Sequence, residues 1–381
     1  MVDLDARRDR LDDYLTTTGT DAVWFARPAS FAWLTGGRNV VDRGSAVGFA
    51  AAGYVAVDGA GVGTESGEFR VVTTRDADRF ASDVLPEEFS VHEAPWYESS
   101  LGAAVAAHSP DRAVADFDAP GLDHVDLSPL RHPLSDDDVA RYRALAEESA
   151  AAVERVCREL GPGDTEHEVA SALGITLSSG QMDAPAVLVS GSDRAERFGA
   201  APPTGAELGD YAVVSVTTER AGLHASLTRT VAFDPPAWLH DRHRAAAKIE
   251  ASALAATREA VADGGTAGDV FEAIQRAYGA VGYPDAWRDA PQGGAAGFAR
   301  REWTAAPGAA DPVTAPRGYA WNSTVGGARS EDTYLVADGG DDGDVAGDGV
   351  ECLTATPHWP TIRVEAPGHD VTLERHAILD P

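Results

Sequence analysis

Two stretches of the chain hold the side chains that could do chemistry. In 209–233 (GDYAVVSVTTERAGLHASLTRTVAF), Ser215, His224, Ser226, Thr228 and Arg229 are set among apolar and β-branched residues. In 318–336 (GYAWNSTVGGARSEDTYLV) the polar positions are Asn322, Arg329, Glu331 and Asp332. Such alternation is strand-like, and each stretch turns once at glycine, at Gly222 and at Gly326-Gly327. His224 and Ser226 are two apart on one strand and share a face, as a serine nucleophile and its imidazole base must. That pair also needs an acid to orient the ring, and none can be identified. Arg229 and Arg329 could each receive a carboxylate in a bidentate fork. Structural readings compete: His224 as a hydrogen-bonded histidine beside a tight turn, and Arg229 as the partner of a buried acid, Glu331 or Asp332.

Positioning these groups takes two strand pairs with helices behind them. Ser135 with Asp138 opens a long helix to about residue 160, in the S-x-x-D capping pattern. Gly163-Asp164-Thr165-Glu166-His167-Glu168-Val169 then starts a second helix that ends near Gly180. The unit returns as an alanine-rich helix over 237–262, followed by Gly264-Gly265-Thr266-Ala267-Gly268-Asp269-Val270 and a helix to Gly282. One capping box is commonplace. The same G-x-T-x-x-acid-V after the same kind of helix, twice, marks a duplication of α-α-β units.

Ahead of this lies an amphipathic helix over 3–18, with Leu4, Leu11, Tyr14 and Leu15 on one face and Gly19 as its stop. Strand-like runs at 22–25, 47–57, 69–73 and 113–116 alternate with helical stretches near 75–84 and 99–107, the pattern of an α/β layer domain. Pro129, His132 and Pro133 mark the linker, which predicts domains at 1–130 and 131–381 in an α/β (α+β) chain.

Composition narrows the partners. The 381 residues carry 61 acidic and 31 basic side chains, a formal net charge of −30, and Lys248 is the one lysine. An acidic, lysine-poor chain suits concentrated salt, where the Debye length shrinks to about 3 Å at 1 M and self-repulsion is screened. Such a surface repels nucleic-acid phosphates and anionic lipid, which argues against both as partners. The N-terminus lacks the apolar core of a signal peptide and no later run spans a membrane, so a cytoplasmic protein is expected. Cys157 and Cys352 are too far apart for a zinc motif and read as buried free thiols. The acidic loop 338–349 fails the EF-hand register and reads as a solvated turn.

The two chemical stretches resemble the paired strands of the aminopeptidase P, prolidase and creatinase family. There the first stretch reads I-D-L-G and then D-G-Y-H-S-D-I-T-R-T, with both aspartates on metal. Here those positions are Ser215 and Ser226, while Gly222, His224, Thr228, Arg229 and Thr230 keep the surrounding pattern. The family's E-P-G stands as Asn322-Ser323-Thr324, and its R-x-E-D-T survives as Arg329-Ser330-Glu331-Asp332-Thr333. Phe31-Ala32-Trp33-Leu34-Thr35-Gly36 is similar to the Y-L-T-G turn of the N-terminal domain in prolidase relatives. The resemblance implies an N-terminal α/β creatinase-type domain followed by a "pita-bread" domain of duplicated α-α-β units. It also implies a two-metal hydrolytic site built from two Asp, one His and two Glu.

Most of that set is missing. The histidine would fall at or beside Pro291-Gln292, and only Glu331 is retained among the carboxylates. Serine and asparagine are poor neutral ligands, and one carboxylate cannot hold a metal pair. The segment that supplies a proton-shuttling histidine in creatinase is Ser190 to Phe198 here and contains none. No cofactor or divalent metal is therefore expected. Ser215, Ser226, Arg229, Gln292, Asn322 and Arg329 become candidate pocket residues, with Glu331 and His224 as catalytic candidates. A degenerate homologue that binds a peptide or small molecule fits best. A metal-independent C–N hydrolase comes second and an atypical X-Pro metalloaminopeptidase third; any activity would be hydrolytic. Trp287, Trp303 and Trp321 near the site are explained by core packing. The family commonly pairs with the N-terminal domain of one subunit reaching toward the pocket of the other, which implies a homodimer.

Overall fold

The computed structural model describes residues 2–42, 44–56, 67–337 and 349–380, so most of the acidic loop lies outside the described residues. The chain divides into two compact units, Met1–Asp138 and Val139–Pro381.

The first unit is a six-stranded mixed sheet with helices. In chain order it runs α1 (Leu4–Thr18), β1 (Ala22–Phe25), α2 (Pro28–Thr35), β2 (Ala50–Val55), β3 (Glu68–Thr73) and α3 (Ala77–Arg79). After α3, one π-helical turn runs to Val84 and β4 (Ser90–Glu93), α4 (Leu101–Ala107), β5 (Ala113–Ala115) and β6 (Asp123–His124) follow. The strand order is β4-β3-β2-β1-β5-β6. Helix α1 starts where the Asp3 side chain accepts from Ala6 N and stops at Gly19, whose φ of 69° suits glycine. Leu4, Leu11 and Leu15 are buried, whereas Tyr14 from the expected face is not.

The second unit carries the duplication. Its elements are α5 (Asp136–Cys157), α6 (Glu166–Ser179), β7 (Asp183–Gly191), α7 (Ser192–Phe198), β8 (Tyr211–Arg220) and β9 (Leu223–Ala232). Next come α8 (Leu239–Asp263), α9 (Ala267–Ala280), β10 (Gly293–Ala296), β11 (Arg317–Val325) and β12 (Ala328–Val336). The short β13 (Val350–Cys352) precedes a hairpin, β14 (Thr361–Glu365) and β15 (Thr372–His376), that sequence periodicity did not announce. Among the described residues no helix is long and apolar enough to cross a membrane.

Both repeats cap their second helix the same way. Thr165 and Glu168 form one reciprocal capping box, Thr266 and Asp269 the other. Thr266→Ala and Thr165→Ala should each lower unfolding stability by about 1 kcal/mol in urea titrations, since each loses one capping acceptor.

Two sheets result, β7-β8-β9 and β10-β11-β12-β13. They meet through a side chain: Thr333 Oγ1 accepts from Ser226 N and donates to Ser226 O, both at 2.8 Å. The β8–β9 turn is Ala221-Gly222 and the β11–β12 turn Gly326-Gly327, all four at positive φ, as two-residue hairpins require. Register then follows: Ser215 opposite Thr228, Thr217 opposite Ser226, Asn322 opposite Glu331 and Thr324 opposite Arg329. Helices α8 and α9 pack Ile249, Ala253, Phe271 and Ile274 against Trp303, Tyr319, Trp321 and Tyr334. Trp303 and Trp321 are thus core residues, and Trp287 packs edge-on against Phe271. Cys157 is a buried free thiol, while Cys352 is only half-buried.

Candidate functional site

Glu331 is the centre of the polar face. Its Oε2 accepts from the Ser215 hydroxyl at 3.1 Å and the Thr228 hydroxyl at 2.7 Å, and lies 3.0 Å from Arg329 Nη2. Its Oε1 lies 3.5 Å from Arg301 Nη2. Strand alternation makes this possible: positions 329 and 331 point to one side of β12, and 215 and 228 are cross-strand partners on β8–β9. Burial would push the Glu331 carboxyl up, but Arg329, Arg301 and the two hydroxyls overcome it and hold it below the usual carboxylate range. Burial also lowers the Arg301 guanidinium, and Glu331 opposes that shift.

The other expected site residues divide. Ser226 lies on the same strand as Thr228, but its hydroxyl pairs with Thr217 Oγ1 at 2.9 Å and not with a histidine. His224 instead bonds the Gly222 carbonyl through Nδ1 at 2.8 Å. Burial lowers the His224 pKa, leaving the ring neutral at pH 7. Asn322 sits opposite Glu331 and is half-buried.

Gln292 is bonded within the fold. Tyr278 donates its hydroxyl to Gln292 Oε1 at 2.7 Å, and the amide nitrogen donates to the carbonyls of Ala290 (2.6 Å) and Trp287 (3.2 Å). Every polar atom of that side chain is spoken for inside the fold.

Arg229 is also bonded within the fold. It points to the opposite side of its strand from Thr228 and is buried between Glu154 (3.0 Å) and Asp332 (2.9 Å). Its remaining donors go to the carbonyls of Thr228 and Thr354. A second buried arginine, Arg375 from β15, joins Asp332 to Glu250 of α8. Glu250 also accepts from Asp332 N, Tyr334 and Ser330, and His376 bonds Asp332 at 2.9 Å. Burial would raise the Asp332 carboxyl, but Arg229, His376 and Arg375 bring it far below its ordinary value. Adjacent residues of β12 therefore serve different masters: Glu331 the polar face, Asp332 the buried ionic lock.

Sequence reasoning missed Arg301, Glu154, Glu250 and Arg375. Arg301 lies in the loop after β10, where no period ties it to Glu331. The two glutamates sit on helices whose pattern reads simply as amphipathic or alanine-rich.

The donor set does not fit a metal pair. The one retained carboxylate is already bonded to two guanidinium groups, whose charges repel a cation, and Ser215, Ser226 and Asn322 add no charge. Among the described residues, no three His, Cys, Asp or Glu side chains gather as a metal-binding group. A separate cavity of about 830 Å³ runs beside α8, lined by Arg244, Lys248, Glu365 and Asp370 among others, and shares no residue with the Glu331 cluster.

Residues 140–302 match Metallopeptidase family M24. That match lies within the second unit. Solved structures agree on its fold. The dipeptidase PepE of Mycobacterium ulcerans is similar with a TM-score of 0.69 at 16% identity, over 99% of this chain and 97% of that one. A recombinant prolidase from Thermococcus sibiricus aligns over 100% of both chains with a TM-score of 0.67 and 15% identity. The N-terminal domain of the FACT complex subunit SPT16 from Cicer arietinum (chickpea) gives 0.63 at 12% identity, over 93% and 97% of the two chains. No curated protein sequence matches the chain. The M24 pita-bread fold accounts for the duplicated α-α-β units and the two sheets meeting at Thr333.

Proposed function

We propose that this M24-fold protein is a metal-free binding homologue of the Xaa-Pro peptidases, which holds a small molecule or peptide on the Glu331 face without hydrolysing it. The observation that carries this reading is the state of Glu331. A carboxylate that must bridge cations in a two-metal hydrolase is here engaged by Arg301, Arg329, Ser215 and Thr228. The Ser226 hydroxyl pairs with Thr217 Oγ1 and not with an imidazole, and Glu331, whose carboxyl is held low by two arginines, is a weak base. The likeness to a domain named for the FACT complex supports the idea that the fold serves proteins not titled as peptidases. The acidic surface supports work in a salt-rich cytoplasm.

The test is metal content and turnover together. Protein purified in molar salt and offered Mn²⁺, Co²⁺ or Zn²⁺ should retain no stoichiometric metal by elemental analysis. X-Pro dipeptides should hydrolyse at the uncatalysed rate with or without those ions. One metal equivalent retained at Glu331, with metal-stimulated cleavage, would refute the reading.

A further inference from the structure

The one lysine of this sequence, Lys248, lines the cavity of about 830 Å³ that the Glu331 face does not use. The cavity lies within the second unit and is walled by α8, the end of α9 and the β14–β15 hairpin. The hairpin wall is fixed in place. Its turn, Ala366-Pro367-Gly368-His369, closes with His369 N donating to the Ala366 carbonyl at 3.1 Å and Gly368 at a φ of 88°. Ser252 of α8 donates its hydroxyl to the Pro367 carbonyl at 2.9 Å, and Ala247 and Ala251 pack against Val364 and Ala366. The His369 ring is taken by Glu259 at 2.8 Å.

Five other charged side chains line the cavity: Asp241, Arg244 and Lys248 on α8, Glu365 and Asp370 on the hairpin. Among the described residues, none of these five side chains makes an ion pair or hydrogen bond. Arg244 and Lys248 stand four apart on one helix face, where like charges repel. Both signs thus surround one space without meeting. A ligand of one sign would satisfy some of these groups and be repelled by the rest, an anion most of all, since the acids outnumber the bases. A ligand carrying both signs engages all of them.

We propose that this cavity binds a small zwitterion, an unblocked peptide or an amino acid, with its carboxylate on Arg244 and Lys248 and its ammonium on Glu365 and Asp370. The arginine fork and the compact lysine charge suit a carboxylate, and the two hairpin acids suit an ammonium. The volume favours a short peptide over a single amino acid. The site is independent of the Glu331 face, with which it shares no residue, and retained metal or turnover there would leave it standing.

A single lysine makes the cavity its own reporter. The full chain, in molar salt, is treated with sulfo-N-hydroxysuccinimidyl acetate beside Nα-acetyllysine, which corrects for reagent consumed by the probe. Acetylation of Lys248 is then read by peptide mass spectrometry. Saturating triglycine should slow it fivefold or more relative to that standard. N-acetyltriglycine and triglycinamide, each lacking one charge, should need at least tenfold higher concentrations for the same protection. Glycine acting at lower concentration than triglycine would support the zwitterion and identify it as a free amino acid. The double substitution Glu365→Gln with Asp370→Asn alters two exposed side chains and spares the reporter, and it should weaken triglycine at least tenfold. No protection by triglycine or glycine, equal protection by blocked and unblocked forms, or unchanged protection in the double variant would each overturn the proposal.

Discussion

Arg375→Met is expected to lower the unfolding free energy by about 3–5 kcal/mol, the typical cost of stripping one partner from a buried ion pair. The reason lies in Glu250, which is fully buried and has Arg375 as its cationic partner at 3.1 Å. Removing the guanidinium leaves that carboxylate with only neutral donors, Ser330, Tyr334 and the Asp332 amide. Asp332 suffers less, because Arg229 and His376 still face it. The double substitution Arg375→Met with Glu250→Gln should recover most of the loss, since no stranded charge remains. Urea titrations in molar salt of the two single variants and the double would measure this. A loss below about 1 kcal/mol for Arg375→Met would mean that the buried network contributes little to stability. Glu331→Gln should cost less than Arg375→Met, because the arginines it abandons reach solvent.

Acid should unfold the protein in two stages, and His243 should set the first. This histidine is buried on α8, hydrogen-bonded through Nε2 to the His376 carbonyl at 3.0 Å. Burial, with the neighbouring His376 adding to it, pushes its pKa from 6.5 down to about 3. As pH falls below about 6.5 the unfolded chain takes up a proton that the folded one refuses, so stability is lost from there down to about pH 3. At about 1.4 kcal/mol per unit the loss is at most about 4–5 kcal/mol. Asp332 acts lower: its carboxyl is held down in the folded state, so its contribution is present above about pH 4 and is lost below that. His243→Gln keeps an N–H donor for the His376 carbonyl and removes the titration. It should flatten the stability curve between pH 6.5 and 4 and leave the steeper fall below it. An unchanged slope in that variant would assign the early loss elsewhere.

Local patterns carried most of the fold. Two-residue turns with glycine, alternating apolar positions and paired capping boxes are short-range signals, and they placed β8–β9, β11–β12, α6 and α9. Once the hairpin registers are set, Ser215, Thr228 and Glu331 can meet, which is why that part of the site was readable. Arg301 was not, because a loop residue reaches the site through the path of its backbone and leaves no period in the sequence. Gln292 misled for a related reason: its carbonyl accepts from Asn322 N at 3.0 Å, yet its side-chain oxygen is held by the Tyr278 hydroxyl of α9. The acids Glu154 and Glu250 look like ordinary helix charges until β12 and β15 are packed against them. Long-range ionic partners are a property of assembly, and composition alone cannot announce them.

The alternation along β12 has a consequence for how such chains are recognised. Of the five letters Arg329-Ser330-Glu331-Asp332-Thr333, Ser330 and Asp332 anchor the strand to α8 and β15, and Thr333 stitches the two sheets together. Only Arg329 and Glu331 look toward the polar face. A signature keyed to this string therefore detects an architectural joint, because three of its five letters are held by packing whatever the polar face does. The letters on which the proposed loss of the metal site depends lie outside the string, at position 322 on β11 and at positions 215 and 226 on β8 and β9.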